Sequence, residues 1–192
     1  MSPLVSAGTL LIHFVFDVYI IILLLRFILQ KLGANWHNPI SQFVIQLTEK
    51  PLKPIRKIIP GVRGFDIAII VLALILQLIE VILLWMLQFG PMPHLLGACV
   101  VAISGIISDF IYIYIYAIII NAIVSWFPSA QSHPLSQTVY LIVRPILYHI
   151  QRIIPLVAGI DVSPVFALLA LTIINLLIAQ PLLTVGTNII LG

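Results

Sequence analysis

Four stretches of about twenty apolar residues each constrain this chain more than any other feature of its sequence. They run approximately over residues 10–32, 67–87, 105–126 and 164–183. A helix needs about 20 residues to cross a hydrocarbon core of about 30 Å, because each backbone polar group must be paired within its own segment. The sequence therefore predicts an all-α integral membrane protein with four transmembrane helices.

The composition supports this prediction, since 62% of the 192 residues are hydrophobic and only 8% are charged. An average soluble domain has about 25% charged residues, and nine basic and six acidic side chains cannot cover so much apolar surface. The single cysteine, Cys99, excludes an internal disulfide bond. The basic residues are scattered through apolar sequence and do not form a nucleic-acid-binding face, so no nucleic-acid partner is expected.

The third apolar stretch begins early, near Leu95. A helix from Leu95 to Trp126 would measure about 48 Å at 1.5 Å per residue, which is too long for an untilted span. We therefore expect a break near Ser104 and Gly105, with residues 95–103 lying along the outer membrane surface.

The distribution of basic residues predicts the orientation of the spans. Apart from Arg26, all lysines and arginines fall in or beside the two long connections, and none lies in the short connection 88–95 or at either terminus. Cytoplasmic loops carry an excess of basic residues. We therefore expect both long connections in the cytoplasm and both termini outside.

The chain contains an internal repeat with a period of 95 residues. Residues 39–66 align without a gap on residues 134–161, and twelve of the 28 aligned positions are identical, including Pro39, Ser41 and Gly64. Shared apolar bias does not produce identical prolines, glycines and serines. The chain is thus a tandem duplication of two units, 1–90 and 91–192, each with a span, an interfacial amphipathic helix and a second span. Two crossings per unit make the units parallel, related by an axis along the membrane normal.

The repeated segment also resembles a known family. The similarity lies in the runs HNPISQFVIQLTEKPLKPIRKIIPGVRGFDIA (37–68) and HPLSQTVYLIVRPILYHIQRIIPLVAGIDVSP (133–164), which resemble the two repeats of the YggT family of small bacterial inner-membrane proteins. The resemblance covers nearly the whole chain and implies a four-span inner-membrane protein without an established enzyme activity. It further implies a connection with osmotic-shock tolerance or division-related membrane functions, and plastid relatives are connected with cytochrome assembly or nucleoid distribution.

Each unit has a segment with helical apolar periodicity between its spans, over about 39–59 and 134–154. Ile40, Phe43, Val44 and Leu47 recur at helical spacing, and the second unit continues the same stripe for longer. Such a helix lies in the membrane interface with its basic residues toward lipid phosphate, or packs against the spans, and the pattern fits both arrangements. The residues expected to contact anionic headgroups are Lys50, Lys53, Arg56, Lys57, Arg63, Arg144 and Arg152.

A proline and a glycine follow each interfacial helix, and an aspartate opens the next span. Proline donates no backbone hydrogen bond and biases the preceding residue away from helix, whereas glycine lets the chain turn. An aspartate at a helix start can accept hydrogen bonds from the free N–H groups of the first turn. The predicted hinge and cap residues are Pro60, Gly64, Asp66, Pro155, Gly159 and Asp161.

Polar side chains inside the predicted spans are costly in hydrocarbon and are therefore candidates for function; those singled out are Asp17, Arg26, Glu80, Asp109, Asn121 and Asn175. Arg26, near the inner end of the first span, is expected to extend toward the headgroups. Asp17, Glu80 and Asp109 all fall in the outer half of the bilayer. If they share an interface, they would hold a proton between them or bind a cation. The two asparagines are expected to hydrogen-bond between helices.

The sequence predicts no catalytic, cofactor or metal site. The five histidines show neither HxxxH nor HExxH spacing, the aligned serines Ser41 and Ser136 have no base nearby in sequence, and glycine-rich phosphate loops are absent. We therefore expect a non-enzymatic protein that organises the membrane or partner proteins. Its expected contacts are a bilayer with anionic headgroups and a membrane-protein partner or a second copy. The alternative is a small oligomeric cation channel or transporter component that uses the intramembrane acids.

Overall fold

The computed structural model describes residues 3–59, 65–154 and 161–192, and these form a bundle of helices. The helices are α1 (Pro3–Lys31), α2 (Pro39–Ile58), α3 (Ile67–Phe89), α4 (Leu95–Ser125), α5 (Pro134–Ile153), α6 (Ser163–Ile174) and α7 (Gln180–Leu191). A short 3₁₀ turn, Pro128–Ala130, precedes α5, and a π-helical segment, Asn175–Ala179, joins α6 to α7. The predicted all-α class is confirmed for the described residues.

Four of the described helical segments are long and apolar enough to cross a membrane: α1, α3, α4 and the continuous run from α6 through α7. The chain is therefore built as a multi-pass membrane protein, as the sequence predicts. The first and last spans are longer than expected, because α1 already begins at Pro3 and the last span reaches Leu191.

The expected break in the third span is wrong, because α4 continues without interruption from Leu95 to Ser125. Its first part is held in the bundle by close contact with α7. A β-carbon on Gly97 would lie 2.6 Å from Ile190 Cγ1 and 2.8 Å from the carbonyl oxygen of Gly186. Likewise, a β-carbon on Gly186 would lie 2.9 Å from the backbone nitrogen of Val101. Because these two glycines face each other, the backbones of α4 and α7 approach closely, and residues 95–103 pack within the helix bundle.

The π-helical segment in the last span has a local cause. Pro181 has no N–H group to donate to the carbonyl four residues earlier, and its ring would clash with that carbonyl in a regular α-helix. The backbone widens instead, and the N–H of Gln180 donates to the carbonyl of Asn175, five residues back. The widening begins at the buried side chain of Asn175, whose contacts are described below.

The helices α2 and α5, which we call the arms, connect the two spans of their repeats. Each begins after a side-chain cap followed by proline: the Asn38 side chain accepts from the N–H of Ile40, and the His133 ring accepts from the N–H of Leu135. The Asn38 side chain also donates to the carbonyl of Pro134 at 3.1 Å. Both arms therefore lie at the same end of the bundle, which we call the arm end.

The first arm packs on the spans through a face that shares only Val44 with the predicted apolar stripe, whereas α5 buries Val139, Ile142 and Val143 of its own stripe. In α2 the buried residues are Ser41, Val44, Thr48 and Leu52, whereas Phe43 and Leu47 are exposed. Small and hydroxylated side chains allow the closest approach to the spans, so they take the inward face. The larger apolar side chains are left on an adjacent face, where an interface or a partner can cover them.

Substitution of Gly97 by alanine should destabilise the protein. The added methyl group meets backbone atoms of α7 that cannot move away, and such overpacking costs about 1–3 kcal/mol. Thermal unfolding in detergent, followed by circular dichroism, should show a lower midpoint for Gly97→Ala. Val185→Ala, on an exposed face of α7, is the control and should stay near the parent value. An unchanged midpoint in Gly97→Ala would contradict the close packing of α4 on α7.

Candidate functional site

Arg26 lies buried in α1 where α2 crosses it, with 6% of its surface exposed. Its guanidinium donates to Thr48 Oγ1 at 2.6 Å, to Glu49 Oε2 at 2.5 Å and, at 3.4 Å, to the carbonyl of Ile45. The expected extension toward headgroups is therefore wrong, since its partners belong to α2. A buried arginine needs hydrogen-bonding partners and a counter-charge, and α2 supplies both.

A second arginine extends this ion pair to α3. Arg56 of α2 donates to Glu49 Oε1 at 3.0 Å and, through Nε, to Asp66 Oδ2 at 2.9 Å. Arg26, Glu49, Arg56 and Asp66, which we call the clasp, thus join α1, α2 and the start of α3. The expectation that the Asp66 side chain caps α3 is wrong, because it makes no capping hydrogen bond. A charge-assisted hydrogen bond from arginine is stronger than one from a neutral N–H group. The Asp66 carboxylate therefore accepts from Arg56 and not from the backbone of α3.

The clasp keeps Glu49 ionised. The hydrogen bond from Arg26 lowers the pKa of the Glu49 carboxyl from its ordinary value of 4.5, and the charge of Arg56 adds to the effect against the opposing influence of partial burial. A lowered pKa means that this contribution to stability is complete above pH 4.5 and is lost as the pH falls through the lowered value. The clasp is therefore closed at neutral pH.

The clasp is not repeated among the described residues of the second repeat. At the positions 95 residues after Arg26, Glu49, Arg56 and Asp66 it carries Asn121, Arg144, Gln151 and Asp161. Of these, Gln151 donates to Asp161 Oδ2 at 2.8 Å, and Asp161 Oδ1 accepts from the N–H of Ser163, the first residue of α6, at 2.9 Å. Asp161 thus accepts from the first N–H group of α6, although the N-cap residue of that helix is Val162.

An open cavity of about 620 Å³ lies where the second repeat lacks a buried arginine. It is bounded by α4, α5 and the start of α6, and a second recess of about 430 Å³ shares its Asn121 side. Its polar lining includes Asn121, Tyr140, Arg144, Tyr148, Gln151 and Asp161. Because Asn121 is much shorter than the aligned Arg26, the space between span and arm stays open.

The basic residues predicted to contact lipid have unequal surroundings. Lys50, Lys53 and Lys57 are exposed and form no ion pair with the described part of the chain. Arg56 instead belongs to the clasp, and Arg152 stacks on Tyr148. Arg144 is also exposed. Arg63 lies outside the described residues, as do the hinge residues Pro60, Gly64, Pro155 and Gly159.

The intramembrane acids meet at the end of the bundle opposite the arms. Glu80 of α3 is buried, and His13 Nδ1 of α1 lies 2.7 Å from its Oε1 atom. Asp17 lies one turn along α1, with Oδ2 3.9 Å from the same His13 nitrogen. Asp109 of α4 directly follows Ser108, which lines a cavity shared with His13 and Glu80. The structure thus joins Asp17 and Glu80, two of the three acids singled out from the sequence, in one cluster.

His13 is the member of this cluster that the sequence analysis missed. Its only signal was the spacing of four residues to Asp17, which places both side chains on one helix face. A search for histidine pairs could not find it, since the third member, Glu80, comes from another helix. A cavity of about 330 Å³ adjoins the cluster and is lined in part by His13, Gln77, Glu80, Ser104 and Ser108.

The two asparagines have different roles. Asn175 is buried, accepts from Ser108 Oγ at 3.1 Å and donates to the Tyr112 hydroxyl at 3.3 Å. It therefore joins the last span to α4 by hydrogen bonds between helices, as expected. Asn121 borders the open cavity of the second repeat.

Comparison with known proteins agrees with the repeat seen in the sequence and the fold. The CCB3/YggT family model matches twice, over residues 5–87 and 100–182. This chain belongs to the CCB3/YggT family. An uncharacterized Pseudomonas aeruginosa protein is 37% identical over 183 residues, covering 95% of this chain and 93% of the relative.

The family relationship extends to other bacteria. An uncharacterized protein named YggT from Escherichia coli K12 is 30% identical over 185 residues, covering 96% of this chain and 95% of its own length. An uncharacterized Haemophilus influenzae protein is 28% identical over 170 residues, covering 88% and 90% of the two chains. No solved structure matches this YggT-family chain.

Opening the clasp should loosen the first arm of this YggT-family protein. In Glu49→Gln, the backbone amides of α2 should exchange with deuterium roughly fivefold faster, because a partly exposed charge-assisted hydrogen bond contributes about 1 kcal/mol. Lys50→Gln, the neighbouring substitution on the exposed side, should leave exchange unchanged. Equal exchange rates in the two variants would show that the clasp does not hold the arm.

Proposed function

We propose that this YggT-family protein is a non-enzymatic organiser of the bacterial inner membrane, whose arms bind anionic lipid and present a surface to a membrane-protein partner or a second copy. The observation that carries the proposal is the clasp. By joining α2 to two spans, it orients the exposed face of the arm. We place the activity in osmotic-stress tolerance or division-related membrane functions, the roles that the family resemblance implies.

The exposed face of the first arm suits an anionic surface. Lys50, Lys53 and Lys57 follow one another at spacings of three and four residues, so their side chains lie on the same side of α2. Each cation near an anionic leaflet contributes about 1 kcal/mol, and the three together contribute about 3 kcal/mol. Since the clasp already orders the arm, little conformational entropy is lost when lipid binds.

The second arm offers a different kind of contact. Arg144 borders an open cavity that Tyr140 and Tyr148 also line, and the Tyr148 hydroxyl accepts from Arg152 at 2.5 Å. A guanidinium beside neutral hydrogen-bond donors is the chemistry that recognises a phosphate group. In our proposal, the first arm binds the leaflet through distributed charge and the second receives a single headgroup.

The same charges support an orientation. Both arms lie at one end of the bundle, and the exposed lysines are at that end. By the excess of basic residues in cytoplasmic loops, we propose that the arm end faces the cytoplasm and that both termini face outward.

Neutralising the three exposed lysines should weaken lipid binding. In the triple variant Lys50→Gln, Lys53→Gln, Lys57→Gln, affinity for phosphatidylglycerol should fall at least about tenfold, while binding of phosphatidylcholine stays the same. Native mass spectrometry of the full chain, released from detergent micelles that contain increasing amounts of one lipid, measures the binding of each of the two lipids. The matched triple replacement by arginine keeps the charge and should retain binding. Equal phosphatidylglycerol binding in the glutamine and parent proteins would refute the proposal.

A second candidate function rests on the cluster of His13, Asp17 and Glu80, with Asp109 on the neighbouring helix α4. Ionisable side chains gathered inside a membrane mark ion pathways in many proteins. Four spans are too few to enclose an aqueous pore, so this candidate requires an oligomer with the cluster facing its interior. It makes the protein a cation channel or a transporter component.

Ion flux separates the two candidates. Liposomes that contain the purified protein and a potassium-sensitive dye should show no flux above empty vesicles if the organising function is correct. The cation pathway instead requires flux in the parent protein and its loss in Glu80→Gln, because the neutral amide removes a charge from the cluster. Lys53→Gln, at the arm end, is the control and should conduct like the parent.

A further inference from the structure

The cluster at the end opposite the arms has the side-chain composition of a metal site. His13, Asp17 and Glu80 each present one ligand atom, and these three atoms lie within 4.8 Å of one another. Around one tetrahedrally bound ion, with metal–ligand bonds of about 2.0–2.2 Å, the ligand atoms are separated by roughly 3.3 Å. Small side-chain rotations would therefore bring the three atoms onto a single ion.

Several buried oxygens around the cluster accept no hydrogen bond within the described part of the chain. Glu80 is 1% exposed, and its Oε1 atom lies 2.7 Å from His13 Nδ1, a close contact that lacks hydrogen-bond geometry. Gln77 is 8% exposed; it donates to Glu80 Oε2 at 2.9 Å, while its own Oε1 atom stays unpaired. Asp109 Oδ2 is likewise buried and unpaired. Unpaired buried oxygens are costly, and a cation beside them removes that cost.

The second repeat supplies an internal comparison. At the positions 95 residues after His13, Asp17 and Glu80 it carries Ser108, Tyr112 and Asn175. These three side chains satisfy one another, because Ser108 donates to Asn175 and Asn175 donates to Tyr112. The same place in the fold is thus a closed neutral network in one repeat and an ionisable cluster with unpaired oxygens in the other. Packing of the helices therefore does not by itself require ionisable side chains at these positions.

We propose that His13, Asp17 and Glu80 bind one divalent transition-metal ion of the zinc or manganese class. One imidazole nitrogen and two carboxylates suit such ions, whereas magnesium and calcium prefer all-oxygen sites. Two carboxylates also balance the charge of a divalent ion, which matters where water is scarce. Gln77 acts as a positioning residue by orienting Glu80 through its hydrogen bond.

The position of the cluster gives the ion a route. His13 lies 18 residues before Lys31 in α1, about 27 Å along the helix, and so near the far edge of a hydrocarbon core of about 30 Å. The His13 and Asp17 side chains are about half exposed. The adjoining cavity, with Ser104 and Ser108 in its wall, leaves space for water in the remaining coordination positions. The site therefore opens at the end opposite the arms.

This inference uses the same cluster as the second candidate function but requires only binding. It is tested with the full chain in detergent, stripped with a chelator and titrated with zinc chloride alone by calorimetry. Bound metal is counted by mass spectrometry after desalting. The parent protein should bind one ion per chain, and His13→Ala and Glu80→Gln should each weaken binding by at least about tenfold. The absence of stoichiometric zinc in the parent overturns the proposal.

Two controls separate the site from incidental zinc binding. His94 is exposed at the start of α4, away from the cluster residues in sequence, so His94→Ala should bind zinc like the parent. An equal loss in His94→Ala and His13→Ala overturns the proposal. With cobalt in place of zinc, the parent should show the visible absorption of a low-symmetry site, and His13→Ala should lose it while keeping its helical circular dichroism. Zinc binding without potassium flux supports the site and eliminates the cation pathway; flux without zinc binding does the reverse.

Discussion

The buried charge of Arg26 is the constraint on which the arm end depends. A guanidinium inside an apolar helix must find partners, and hydrocarbon provides none. Thr48 and Glu49 supply them from α2, and Arg56 then connects Glu49 to Asp66. One charge in a span thus determines where the first arm lies and which residues are left for other contacts. Arg56 is used within the fold, so the exposed lysines carry the surface charge.

The duplication shows how two copies of one unit diverge while keeping their fold. Both repeats have two spans and an arm, and the arms meet through Asn38 and Pro134. The first repeat concentrates charge at both ends, in the clasp and in the cluster around Glu80. At most of the aligned positions the second repeat has neutral side chains. They form a hydrogen-bonded network around Asn175, and at the arm end they border an open cavity. The two units therefore offer different chemistry on a common frame.

Much of the fold followed from local sequence, but the errors share a cause. The four spans and both arms were predictable, because apolar length and periodicity are properties of single segments. The break near Gly105 was wrong because Gly97 packs on Gly186, which is 89 residues away in the chain. Arg26 and Asp66 were assigned to headgroups and helix capping, since their true partners, Glu49 and Arg56, could be recognised only with α2 in place. His13 escaped notice for the same reason.

The sequence by itself determined that this chain is a duplicated four-span membrane protein of the YggT family, since span length, repeat register and family motif are all written along the chain. Tertiary structure decided which polar groups meet. Pairing in hydrocarbon is enforced across helices, and its geometry depends on how the spans pack and rotate about their axes. The joining of His13 to Glu80, of Arg26 to Glu49 and of Asn175 to Ser108 could therefore be seen only in the assembled bundle.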